Sequence, residues 1–146
     1  MESVTLRANN FEQARKLINQ NKDKRIIFSG DDETNRKILE KEKTDVLLLS
    51  QSEKKDFHKQ RNSGFNQVLA KLAKKKEVII GIDFDEIIKS EGKERARIIA
   101  RVMQNAGLCK KAKLKIEFIC AEYKISKNDL ISFGLTLGMP TWMIRF

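Results

Sequence analysis

The chain has 146 residues, enough for an ordinary apolar core that needs neither disulfide bonds nor structural metals. With 40% hydrophobic and 34% charged residues it is too apolar to be disordered, and no stretch reaches the roughly 18 apolar residues of a membrane span. The net charge of +10 favours a polyanionic partner, with nucleic acid ahead of an anionic membrane surface. A solvated, lysine-rich surface is the alternative explanation of that charge.

The N-terminus and the cysteines indicate the compartment. No signal-peptide pattern opens the chain, so we expect a cytoplasmic protein. Cys109 and Cys120 are too few and too widely spaced for a zinc site. We therefore expect two free thiols, packed as small apolar side chains.

The first part of the chain predicts strands that alternate with helices. Apolar runs predict strands at residues 4–8, 25–30 and 45–50. Apolar side chains at helical spacing predict helices at residues 11–18 and 35–42. Residues 51–61 have no apolar periodicity and are interpreted as a loop, which contains the single histidine, His58.

Residues 61–88 are the most informative stretch of the chain, because they predict a basic helix that leads directly into a buried strand. Asn62 and Ser63 can cap a helix, and Gly64 allows the chain to turn into it. The expected inward stripe of that helix consists of Phe65, Val68, Leu69, Leu72 and Ala73. Its lysines, Lys71, Lys74, Lys75 and Lys76, lie mostly off the stripe. Residues 78–82 then form an apolar, β-branched run that predicts a strand buried on both faces.

The last part of the chain predicts two more helices and two more strands. Residues 83–91 are interpreted as a linker to a long helix at 93–113, whose inward stripe includes Met103 and Cys109. Its expected basic outer face consists of Arg95, Arg97, Arg101, Lys110 and Lys111. A strand at 114–121, a helix between Ser126 and Gly138 and a short strand at 141–144 complete the pattern.

Strand and helix alternate throughout, which predicts an α/β fold with a parallel sheet in a single domain, residues 1–146. A complete eight-stranded barrel usually needs roughly 200–250 residues. The chain is shorter than that, so the pattern indicates either an open sheet or an incomplete TIM-like barrel. Periodicity does not choose between the two.

Several segments, in order, resemble one family. They are VTLRANNFEQARKLI, GDDETNR, DVL, RNSG, the helix at 66–73, GKERARIIARVMQNAGLCKKAKLKIEF and DLISFG with Gly138-Met139. In their residues and their order these segments are similar to ribonuclease P protein component 3, a subunit family of the ribonucleoprotein that trims precursor tRNA. Against the family's usual length, the chain begins after the first βα units and stops before the last helix. A natural reduced homologue, a fragment, or a barrel completed by a partner would each give this pattern.

The resemblance implies an incomplete barrel of the polymerase and histidinol phosphatase type that has lost its metal site. It implies a subunit that stabilises the catalytic RNA, while the RNA removes the 5′ leader. The implied partners are ribonuclease P RNA, a second protein subunit (component 2) and, indirectly, precursor tRNA, with no membrane. It implies no resident cofactor, and any Mg²⁺ would be associated with the RNA.

The candidate RNA contacts are basic or amide side chains. From the residues themselves they are Lys59, Arg61, Asn62, Lys71, Lys74 and Lys75, and from the resemblance Asn35 and Arg36. Arg offers paired hydrogen bonds to phosphate, and Lys offers a mobile point charge. Aromatic residues are scarce and mostly on core stripes, so we expect recognition through RNA backbone and shape.

Carboxylates at strand ends suggest an alternative chemistry. Asp31, Asp32, Asp83 and Asp85 could bind Mg²⁺, or they could be turn and helix-cap residues. His58 alone cannot supply the histidines of a multi-metal hydrolase, and the chain has neither a phosphate-binding glycine loop nor an activated nucleophile. We therefore predict no catalytic or metal-binding residues. A metal-dependent phosphoesterase and a basic protein-interaction module remain the alternatives.

Overall fold

The computed structural model describes residues 1–52, 54–56 and 61–145. The strands in these residues are β1 (Ser3–Arg7), β2 (Arg25–Ser29), β3 (Val46–Leu49), β4 (Ile79–Asp83), β5 (Ile116–Ile119) and β6 (Ile144–Arg145). The helices are α1 (Phe11–Gln20), α2 (Asp32–Lys41), α3 (Gln67–Lys75), α4 (Phe84–Lys89), α5 (Gly92–Ala112) and α6 (Lys127–Thr136). A one-turn 3-10 helix, Thr141–Met143, precedes β6.

All strand pairs are parallel, and the strands lie in the sheet in the order in which they occur in the chain. This order is the one that successive βα units produce in a barrel. Within the described residues β1 and β6 lie at opposite ends of the sheet and do not pair, so the sheet is open. The predicted α/β class is confirmed, in the form of an incomplete barrel.

The two faces of the sheet bury different sets of residues. Side chains such as Phe28, Leu47, Ile80 and Ile116 point to the helices and belong to the main core. Ile27, Val46 and Leu48 form a separate small cluster on the other face. Gly81 on β4 leaves room for that cluster, because a Cβ there would lie 2.9 Å from Cγ1 of Val46. The inner face is thus filled by side chains from neighbouring strands, as in a barrel.

An ion pair crosses the inner face. The Arg25 guanidinium at the start of β2 donates to the Glu117 carboxylate on β5 at 2.7 and 3.0 Å. β3 and β4 lie between these two strands. In a flat sheet the two strands would be about 14 Å apart, since neighbours are spaced by about 4.8 Å. The ion pair is therefore made across the concave side of a curved sheet.

Polar side chains start several helices. The side chains of Asn10, Asp31, Asn66 and Ser126 accept backbone N–H groups in the first turns of α1, α2, α3 and α6. The cap predicted at Ser126 is confirmed. For α3 the prediction was wrong: Asn66, and not Asn62 or Ser63, is the capping residue, because the helix begins only at Gln67.

Other differences from the predicted pattern concern short elements and helix faces. Residues 83–91 contain α4, a helix of 6 residues that is too short to show periodicity. Two residues of the expected inward stripes are exposed, Val68 by 74% and Met103 by 48%. Arg101 has the opposite outcome, since it was expected on an outer face and is 3% exposed.

Both cysteines are free thiols, as predicted. Cys109 on α5 is fully buried, and this burial raises the pKa of its thiol to about 12. Cys120, just after β5, is half-buried. No helix in the described ranges is long and apolar enough to cross a membrane.

Candidate nucleic-acid interface

Helix α3 presents lysines to solvent from a firmly packed base. Leu69, Ala70 and Ala73 are buried against the core. Lys71, Lys74 and Lys75 are exposed. The helix has 9 residues and is therefore roughly 13 Å long, at about 1.5 Å per residue. Its lysines lie in the half that faces the amino ends of the strands, because α3 runs antiparallel to β4.

The structure adds the end of α5 to these lysines. The Lys74 ammonium donates to the backbone carbonyl of Lys113 at 3.1 Å. Lys71 and Lys111 line the same small groove between the two helices, and Lys110 lines the groove beside it. We call the resulting group the lysine cluster; it consists of Lys71, Lys74, Lys75, Lys110, Lys111 and Lys113.

No acidic side chain neutralises the lysine cluster from its own helices. Neither α3 nor residues 95–113 contains Asp or Glu. Within the described residues, none of the salt bridges involves a member of the cluster. Six lysines gathered without an ion-paired carboxylate among the described residues repel one another, so we expect this face to attract a polyanion.

Arg61 and Asn62 lie at the other end of α3, just before it begins. Arg61 is exposed. Asn62 donates its backbone N–H to Oδ1 of Asp56 at 3.0 Å, and its own Oδ1 accepts the N–H of Gly64 at 3.3 Å. Gly64 has a φ of 74° and turns the chain towards the helix. The described candidates thus extend along α3, from the carboxyl ends of the strands to their amino ends.

The Asn35–Arg36 pair divides into a buried and an exposed residue. Asn35 is 3% exposed, and its Oδ1 accepts the N–H of Gly30 at 2.9 Å. Its side chain therefore fixes the turn after β2. Arg36 is exposed on α2, which packs against α3. Lys59 and His58 lie outside the described residues.

A buried carboxylate holds the backbone that follows β3. Glu86, on α4, is 8% exposed and accepts the N–H groups of Gln51 and Ser52 at 2.8 and 3.1 Å. Burial raises the pKa of Glu86 to about 7, although the hydrogen bond from Gln51 opposes the rise. Asp85 does the same for the loop after β5, where it accepts the N–H groups of residues 121–123.

The other strand-end carboxylates cap helices. Asp31 accepts the N–H of Thr34 at 2.8 Å, and Asp83 accepts the N–H of Glu86 at 3.4 Å. Both line a cleft of about 990 Å³ at the carboxyl ends of the strands, together with Arg7 and Lys54. Burial raises the pKa of Asp83. Among the described residues, no group of three or more His, Cys, Asp and Glu is placed to hold a metal ion.

Comparisons with known proteins give several relatives of one kind, although no protein-family model matches the chain. Ribonuclease P protein component 3 of Methanosarcina barkeri is 33% identical over 114 residues, which cover 78% of this chain and 44% of the relative. The Methanococcus vannielii protein of the same name is 34% identical over 86 residues, 59% of this chain and 35% of the relative.

A solved structure agrees with these sequences. A chain in a cryo-EM structure of archaeal ribonuclease P with mature tRNA matches with a TM-score of 0.78 and 25% identity, over 97% of this chain and 62% of that one. The chain belongs to the ribonuclease P protein component 3 family. It spans 35% to 44% of the length of the two component 3 relatives above, so it is a shorter chain than they are.

Sequence reasoning missed two parts of this interface of the component 3 chain. Lys110, Lys111 and Lys113 were not among the candidates, because only the packing of α5 on α3 brings them to Lys71 and Lys74. The hydrogen bonds that Glu86 accepts from Gln51 and Ser52 also left no sequence signal, since they join residues far apart in the chain. The basic composition of α5 was the one available hint.

Proposed function

We propose that this chain acts as a protein subunit of ribonuclease P, where it binds and stabilises the enzyme's RNA and so supports removal of the 5′ leader from precursor tRNA. The observation that carries the proposal is the lysine cluster, a basic face that makes no salt bridge within the described residues, on a member of the component 3 family. The chain itself would not be the catalyst. Cleavage would belong to the RNA, with any Mg²⁺ bound there.

The interface in this proposal extends along α3. The lysine cluster would contact phosphates at the amino ends of the strands. Arg61, Asn62 and Arg36 would contact phosphates at the carboxyl ends. The exposed lysines suit a backbone that is recognised by charge and shape. Asn35 would act by fixing the turn after β2, while Lys59 remains a candidate from sequence alone.

The same proposal includes the surroundings of the subunit. We place it in the cytoplasm, as a single domain over residues 1–146, with component 2 as a neighbouring protein subunit and precursor tRNA as an indirect partner. The fold likeness to a chain of archaeal ribonuclease P with mature tRNA supports an assembly of this kind. A size-exclusion comparison of the chain alone and mixed with component 2 tests the protein contact.

Salt dependence tests the RNA contact. Affinity for in vitro transcribed ribonuclease P RNA of Methanosarcina barkeri should fall by about 10³–10⁵ between about 50 and about 200 mM salt, if roughly six to ten phosphates are engaged. Filter binding across a salt series measures the slope. A flat salt dependence, or equal affinity for poly(U) of the same length, would contradict the proposal.

A matched pair of variants locates the contact. Replacing Lys71, Lys75 and Lys111 by Gln removes three charges from the lysine cluster and spares Lys74, which bonds to Lys113. The affinity should fall and the salt slope should drop by about 0.9 for each phosphate that is no longer engaged, with little change in melting temperature. The control replaces Lys16, Lys22 and Lys124, which are also exposed, and should keep the slope.

A further inference from the structure

Arg101 makes an unusual set of contacts for a residue in the middle of a basic helix. Its Nη1 donates to the carbonyl of Gln51 at 3.1 Å, and its Nη2 donates to the carbonyl of Lys54 at 3.0 Å. Its Nε donates to Oδ1 of Asp56 at 3.1 Å. The side chain is 3% exposed, so its charge is directed into the protein and away from any bound polyanion.

Asp56 continues this chain of contacts towards the interface. The same Oδ1 that accepts from Arg101 also accepts the N–H of Asn62 at 3.0 Å. The hydrogen bond from Asn62 is the main reason why the pKa of Asp56 is lowered, with the Arg101 guanidinium contributing further. A carboxylate that stays ionised thus joins the buried arginine to the residue next to Arg61.

Two side-chain amides hold the other end of the connection between β3 and α3, at Ser63. The carbonyl of Ser63 accepts from Nε2 of Gln51 at 2.8 Å and from Nδ2 of Asn105 at 3.2 Å. Asn105 lies one turn after Arg101 on α5. Helix α5 therefore binds both the beginning and the end of the connection between β3 and α3. The described residues of this connection, 50–52, 54–56 and 61–66, belong to no helix or strand, so their geometry depends on these side chains.

We infer that Arg101 is a positioning residue for RNA binding: through Gln51, Lys54 and Asp56 it fixes Arg61 and Asn62 where they can meet the RNA backbone, without touching RNA itself. This inference rests on the proposed function. A guanidinium suits the role because its fork of donors reaches two carbonyls and a carboxylate at once. An ammonium on a lysine is a single point and cannot reproduce that geometry.

The first test uses the free protein. Arg101→Lys keeps the net charge and the trypsin site, and Arg97→Lys, at an exposed position of the same helix, is the matched control. In R101K, limited trypsin should cut after Lys54, Lys55 and Arg61 about tenfold faster than in the wild type, because the segment opens more often. R97K should be cut like the wild type. Equal cutting rates in all three proteins would overturn the inference.

The second test joins Arg101 to Arg61 through RNA binding. With the Methanosarcina barkeri transcript as probe, R101K and Arg61→Gln should each lower the affinity, R101K by about tenfold, and the double variant should bind no more weakly than R101K. Losses that multiply would mean that Arg101 does not act through Arg61, and R101K binding as tightly as R97K would mean that it does not act at all.

A second variant guards against misfolding. Asp56→Ala removes an exposed side chain together with its acceptor oxygen and should give the same trypsin and RNA phenotypes as R101K, with a smaller loss of thermal stability. Wild-type protein that fails to prefer the transcript over poly(U) would refute the proposed function, and the inference with it. If both R101K and D56A bind the transcript as tightly as the wild type does, the inference alone is refuted.

Discussion

Glu86 is a residue whose ionisation opposes folding. Its carboxylate is buried, which raises its pKa from 4.5 to about 7 in the folded chain. The folded state therefore binds a proton more readily than the unfolded state between these two values. The stabilising contribution is complete below pH 4.5 and is lost as the pH rises through about 7.

Replacing Glu86 by Gln should remove this pH dependence. The free energy of unfolding of the wild type, compared with that of E86Q, should decrease from about pH 5 to about pH 8, by up to about 3 kcal/mol. Urea unfolding of both proteins at the two pH values measures the difference, and the contributions of titrating groups that do not interact with Glu86 cancel. Parallel changes in the two proteins would show that Glu86 does not titrate in this range.

Gly64 permits a turn that other residues would strain. Its φ is 74°, and a Cβ there would lie 2.9 Å from Oδ1 of Asp32 and from Nζ of Lys54. Gly64→Ala should cost about 1–3 kcal/mol of stability. Gly107→Ala is the contrasting control, because open space surrounds Gly107 inside α5 and alanine should add up to about 1 kcal/mol. Thermal melts of both variants test whether the melting temperature falls for Gly64→Ala and rises for Gly107→Ala.

At the scale of elements, α3 was largely predictable and its orientation was not. Apolar spacing predicted a helix, and Leu69 and Ala73 are buried as expected. Val68 belongs to the same spacing but is 74% exposed, because it lies outside the contacts that α3 makes with the core, α2 and α5. Arg101 was misjudged for a related reason: its burial depends on loop carbonyls of residues 51 and 54, which helical periodicity cannot reveal.

The end of α3 contains a residue in an unfavourable backbone conformation. Glu77 follows the helix with a φ of 58°, a region where glycine has no steric penalty. Glu77→Gly should therefore stabilise the protein by about 0.5–1 kcal/mol. Lys75→Gly, within the helix two residues earlier, should destabilise it by up to about 1 kcal/mol. Chemical unfolding of the two variants tests whether the sign changes at the helix end.

At the scale of the whole molecule, the alternation of strands and helices predicted the fold class. The choice between an open sheet and an incomplete barrel required contacts that sequence periodicity does not contain. The Arg25–Glu117 ion pair is such a contact, because it joins residues 92 positions apart across the concave face. Arg25 was assigned to a strand from its apolar neighbours, with no sign that it has a partner on β5.

The ion pair should behave as a coupled unit. Removing one charge, in Arg25→Met or Glu117→Gln, should cost about 1–3 kcal/mol, since the remaining group is mostly buried and loses its partner. Because each single variant loses the same interaction and leaves one charge unpaired, the double variant should cost less than the two single losses added together. A double-mutant cycle by urea unfolding measures the coupling, and strict additivity would contradict an interaction across the curved face.

The buried thiol of Cys109 can report local opening of the core around α5. Since it is shielded and its pKa is raised to about 12, alkylating reagents can modify it only while α5 is lifted from the sheet. Half-buried Cys120 should be modified sooner and so calibrate the reagent. The difference between the two modification rates would measure how often the main core opens and exposes Cys109, without an introduced probe.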